Sequence, residues 1–132
     1  MDMKPATMLL AAIMVAGCGS DPAAPLDPFQ PQINSATDNF QLQATDVRDV
    51  RATLNYAWQN TGTQAVVDHS TTTVTGAARV IVTDAAGATV YDDGLEPSLN
   101  TETTAGVAGT WTITLVLTDY SGTLNFRVQK KT

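Results

Sequence analysis

From Asn39 onward, apolar and polar residues alternate with a period of two, the pattern of strands that bury one face. Phe40, Leu42 and Ala44 alternate with Asn39, Gln41 and Gln43. Ala52, Leu54, Tyr56 and Trp58 alternate with Arg51, Thr53, Asn55 and Gln59. Trp111, Ile113, Leu115 and Leu117 alternate with threonines 110, 112, 114 and 118, and Leu124, Phe126 and Val128 with Asn125, Arg127 and Gln129. A slip of one residue would turn each apolar set to water, so register is well specified. Val80-Ile81-Val82 reads as a central strand, Ala88–Tyr91 as a weaker one, and the threonine-rich stretch 70–75 as an edge. Asn60-Thr61-Gly62, Asp84-Ala85-Ala86-Gly87 and Tyr120-Ser121-Gly122 read as turns, and 96–109 as a crossing between sheets. The expected fold is all-β: a two-sheet antiparallel sandwich of about seven strands, jelly-roll or immunoglobulin-like, over residues 38–132. Phe40, Tyr56, Trp58, Trp111 and Phe126 share parity with the aliphatic core, which leaves Tyr91 and Tyr120 as surface rings beside turns.

Two different segments precede this domain. Prolines at 22, 25, 28 and 31 recur every third residue, the period of polyproline II. Residues 18–37 therefore read as a semi-rigid tether, rising about 3.1 Å per residue. Residues 1–17 read as an export signal: Lys4, then an apolar run from Met8 to Ala16, then small residues. Spanning a bilayer takes about 20 apolar residues, so this run is too short. Val15-Ala16-Gly17-Cys18 resembles the lipobox of bacterial lipoproteins. That resemblance implies cleavage before Cys18, lipid on its thiol, and a place in the cell envelope with the membrane as partner through the anchor. Residue 19 is glycine rather than aspartate, which under Gram-negative sorting favours the outer membrane.

Charge and composition narrow the function. The net charge is −6, and the few cations are scattered, which excludes nucleic acid as a partner. A single cysteine excludes an internal disulfide. His69 is the only histidine, in the run Asp68-His69-Ser70. Three consecutive residues cannot form a catalytic triad, so His69 is read as a solvated loop residue, no catalytic residue is assigned, and the chain is read as no enzyme. No transition-metal ligand set is present, and no cofactor is expected beyond lipid on Cys18. Calcium needs only oxygens, and Asp92, Asp93 and Glu96 around Gly94 are its candidates, with Asp84 at the preceding turn. The rows Thr110-Thr112-Thr114 and Thr123-Asn125-Arg127-Gln129 offer flat polar sheet surfaces of the kind a glycan could contact.

One more resemblance bears on the fold. Gly109-Thr110-Trp111-Thr112-Ile113-Thr114-Leu115, followed by Asp119 and Ser121-Gly122-Thr123-Leu124-Asn125, is similar to the closing hairpin of proprotein convertase P domains and bacterial pre-peptidase C-terminal domains. Residues 78–91 resemble their central hairpin. The resemblance implies a jelly-roll-like body, and calcium in its loops. The expected function is a lipid-anchored envelope protein whose β body is a structural or binding module. The alternative is an accessory subunit docking on a larger envelope complex or secreted enzyme; calcium or glycan binding ranks below both.

Overall fold

Among the described residues seven strands form: β1 (Gln32–Ala36), β2 (Asn39–Asn60), β3 (Ala65–His69), β4 (Thr72–Thr83), β5 (Thr89–Gly94), β6 (Leu99–Glu102) and β7 (Gly109–Lys130). The computed structural model describes residues 24–95 and 99–132; Cys18, the leader and Glu96 lie outside the described residues. Every pairing is antiparallel, as the alternation predicts. All seven strands belong to one hydrogen-bonded sheet, in the order β1-β2-β7-β3-β6, with β4 also on β7 and β5 on β4.

Two expected turns or gaps turn out to be strand. The runs 39–44 and 51–59 are one strand of 22 residues, and β7 passes straight through Tyr120-Ser121-Gly122. The physical reason is a local change of period. Inward residues follow one another at 44, 47, 50 and 52 in β2, and at 117 and 120 in β7. Each step of three is a bulge that adds one residue to its strand. The extra residues put Asp46 at φ 55°, Asp49 at φ 52° and Asp119 at φ 45°. Aspartate is among the few side chains that tolerate this left-handed region. The bulges thus keep the apolar set inward while the strands bend.

The bend folds the sheet back on itself. Phe40 and Tyr56 lie on the same strand, and a straight strand would hold them about 50 Å apart. Their ring centroids are 5.5 Å apart. The Trp58 indole N–H likewise reaches the Ala36 carbonyl at 3.0 Å. One layer holds β1, the first part of β2, the end of β7, β3 and β6; the other holds the rest of β2, the start of β7, β4 and β5. The two layers are therefore halves of one sheet. Glycine lets the strands approach at the crease: a Cβ on Gly76 would collide with the Asp119 carbonyl, and one on Gly122 with the Thr72 carbonyl.

The core lies between the layers. Trp58 and Trp111 are register partners in edge-to-face contact, centroids 5.9 Å apart. The Trp111 indole donates to the Val107 carbonyl at 2.7 Å. Tyr120 is fully buried rather than a surface ring, because the bulge at Asp119 turns it inward, and its hydroxyl donates to the Thr72 carbonyl. Tyr91 is half-buried and packs against the core.

The proline-rich segment is also different from its sequence reading. Ala24–Phe29 forms a 3-10 helix packed on β2, with Leu26 fully buried. Gln32–Ala36 pairs with Asn39–Gln43. The body thus includes residues 24–37, and the tether reading of 18–37 does not hold for that part. Pro31 sits just before an edge strand, where proline is tolerated. The apolar residues Leu26 and Phe29, interleaved with the prolines, and Ile33 just after them supply the packing that the period-three reading overlooks.

Candidate functional site

The two described calcium candidates, Asp92 and Asp93, do not converge. Asp92 and Asp93 are successive residues of β5, and successive side chains on a strand point to opposite faces. Asp92 is engaged by Arg79 at 2.5 Å, and Asp93 accepts from its neighbour's amide, Gly94, at 2.8 Å. Asp92 raises the Arg79 guanidinium above its ordinary range. Glu96 lies outside the described residues. Among the described residues no group of three or more His, Cys, Asp or Glu side chains could hold a metal ion.

Asp84 is buried and occupied by backbone. Its Oδ1 accepts from the amides of Ala88 at 2.8 Å and Ala86 at 3.0 Å, and its Oδ2 from Val107 at 2.8 Å. The Ala88 and Val107 amides hold its carboxyl below the usual carboxylate range. It ties the β4–β5 turn to the loop that leads into β7. His69 is not in a loop: it ends β3, is 2% exposed, and pairs with Leu99 and Phe126 in the ladders. Neither ring nitrogen has a hydrogen-bond partner among the described residues.

The two outer faces differ in chemistry. The β4–β5 layer presents Thr53, Thr83, Thr110, Thr112, Thr114 and Val116, all favoured in strands. Its polar groups pair with one another: Thr114 Oγ1 with Asn55 at 2.7 Å, Gln59 with Thr110 at 2.7 Å, and Arg79 with Asp92. At the crease, Arg51 clasps Asp119 through two hydrogen bonds of 3.1 and 2.8 Å, which holds the Asp119 carboxyl below its ordinary range.

The opposite face is built from carboxamides. Register aligns Asn34, Gln41, Arg127, Asp68 and Asn100 in one row across five strands. Gln32, Gln43 and Asn125 form the row on one side of it, and Asn39, Gln129, Val66 and Glu102 the row on the other. The sequence placed Asn125, Arg127 and Gln129 on a common face, and the structure does so. The sequence reading did not join Gln41, Gln43, Asn34 and Asp68 to them, since only strand register brings these together. A hollow of about 650 Å³ opens at the Gln129–Glu102 margin, and one of about 450 Å³ beside Asn34 and Gln41.

No protein-family model matches the chain, and no curated protein is significantly similar to it.

Proposed function

We propose that this chain is a lipid-anchored protein of the bacterial envelope, favouring the outer membrane, whose β body is a non-catalytic binding module. The observation that carries the anchor is Val15-Ala16-Gly17-Cys18 closing an apolar run, with the cysteine the only one in the chain. The fold adds a consequence. Only five residues, 19–23, separate Cys18 from the 3-10 helix at Ala24. At about 3.3–3.6 Å per residue they span at most ~20 Å, whatever their conformation. The body is therefore held against the membrane rather than on a long stalk. An overall charge of −6 discourages anionic headgroups, so the lipid itself supplies the attachment.

Mass spectrometry of the processed chain tests this reading. The expected species begins at Cys18 and carries the mass of the added lipid, and Cys18→Ser yields an unprocessed or unanchored form. A bare thiol on a processed, membrane-retained chain would overturn it.

A further inference from the structure

We propose that the carboxamide face of the β1-β2-β7-β3-β6 layer binds an extended, uncharged polysaccharide. The inference rests on the binding-module reading above, though not on the anchor. Three observations on this face converge.

The first is composition against propensity. Asn34, Asn39, Asn100, Asn125 and Asp68 occupy outward strand positions, yet Asn and Asp are depleted in strands. The other layer's outward positions hold Thr53, Thr83, Thr110, Thr112, Thr114 and Val116, and its Asn55, Gln59, Arg79 and Asp92 are taken up in side-chain pairs. Five Asn or Asp side chains on this face thus depart from local strand preference, and such departures are expected at functional sites.

The second is unused hydrogen-bonding capacity. Polar side chains on the threonine face are largely paired with each other. On the carboxamide face, Asn125 donates to Ser70 Oγ at 3.0 Å. Among the described residues, Gln41, Gln43, Gln129, Arg127 and Asp68 make no side-chain hydrogen bond. Each carboxamide offers both donors and an acceptor, the same dual capacity as a sugar hydroxyl.

The third is shape and charge. The middle row crosses five strands at about 4.8 Å each, a span of roughly 19 Å. It is a surface rather than an enclosed pocket, with hollows at its margins. That form suits a chain laid across it better than a small molecule. Arg127 and Asp68 are register partners of opposite charge, so the centre of the face has no net charge. A polyanion would in addition meet an acidic protein.

Recognition by exposed hydrogen bonds is weak per contact, because each displaces water. Affinity must accumulate over several sugars, so a hexasaccharide should bind at least tenfold tighter than its monosaccharide. The test is calorimetric titration of the full chain carrying Cys18→Ser, with cellohexaose, chitohexaose and the two monosaccharides. Binding of either hexamer is expected. Combining Gln41→Thr, Asn125→Thr and Gln129→Thr should weaken it at least tenfold while leaving the melting temperature equal or higher, since threonine is the better strand former. Thr112→Ser on the opposite face should leave binding unchanged. Absence of binding by both hexamers overturns the proposal, as does undiminished binding in the triple variant. Because this chain carries no lipid on residue 18, failure here leaves the anchor untouched, and failure of the mass-spectrometric test leaves this face untouched.

Discussion

Tyr120 separates two accounts of this chain. In a turn between two short strands its ring would lie in water, and truncation would change stability by no more than about 0.5 kcal/mol. In the folded sheet its ring is fully buried at the crease, and its hydroxyl donates to the Thr72 carbonyl at 3.2 Å. Removing a buried aromatic ring costs roughly 3–5 kcal/mol, since lost transfer energy and the residual cavity add. Collapse into that cavity is resisted here, because Gly122 and Gly76 already bring backbones into contact on either side. Tyr120→Ala should therefore lose about 3–5 kcal/mol. Tyr120→Phe keeps the ring and loses the hydrogen bond, a cost near 1 kcal/mol. Against a total stability of about 5–15 kcal/mol, the alanine variant is marginal and the phenylalanine variant is folded. Urea unfolding followed by tryptophan fluorescence reads both, with Trp58 and Trp111 as core reporters. A loss below 1 kcal/mol for Tyr120→Ala would refute the continuous bent strand and restore the turn.

Other consequences follow from the same geometry. Leu26→Ala should cost about 2–5 kcal/mol in urea unfolding, as a fully buried leucine does; a change within 0.5 kcal/mol would return residues 24–29 to the tether. Asp38, Asp84 and Asp119 all have carboxyls held below their ordinary value, by the Thr61 amide, the Ala88 amide and Arg51 respectively. Groups depressed in this way stabilise the fold fully above the unfolded carboxylate pKa of about 4, and that stability is lost as pH falls through the lower folded values. The urea midpoint should hold from pH 7 to 5 and drop below 4, with a smaller drop in Asp84→Asn; a flat profile to pH 3 would contradict this. Gly122→Ala should lower the melting temperature sharply, because its Cβ would meet the Thr72 carbonyl and its φ is 152°; an unchanged melting curve would mean that the crease is not closed there.

Why the sequence yields the strands but not their joints has a physical answer. Alternation depends only on which face each residue presents, a local property, and it correctly marks both halves of β2 and of β7. A bulge interrupts that alternation in the way a turn does. Thr45-Asp46-Val47-Arg48-Asp49-Val50 carries its own signal, two Asp-Val pairs at a spacing of three, which keeps one apolar residue per step inward. Tyr120-Ser121-Gly122 looks like a turn because it has a turn's residues, yet its glycine serves a backbone contact with Thr72. The prolines misled in the same manner: their period of three is real, but Leu26 and Phe29 between them, and Ile33 just after, find a surface to pack on.

The candidate face shows where local reading must stop. Parity puts Asn125, Arg127 and Gln129 on one side of a strand, and nothing in parity says which strands lie beside it. β7 is flanked by β2, whose partners of Asn125, Arg127 and Gln129 lie more than 80 residues earlier in the chain, and by β3 and β4. Loop closure over such separations is decided by the whole core at once. The crease ties these two levels together. Without bulges, 22-residue strands with unbroken alternation would form a flat ribbon with one apolar face open to water. Three extra residues, all aspartates at positive φ, close that face on itself and leave two polar surfaces outside. The protein is then free to specialise one of them, and the carboxamide rows are the surface on which that freedom has been used.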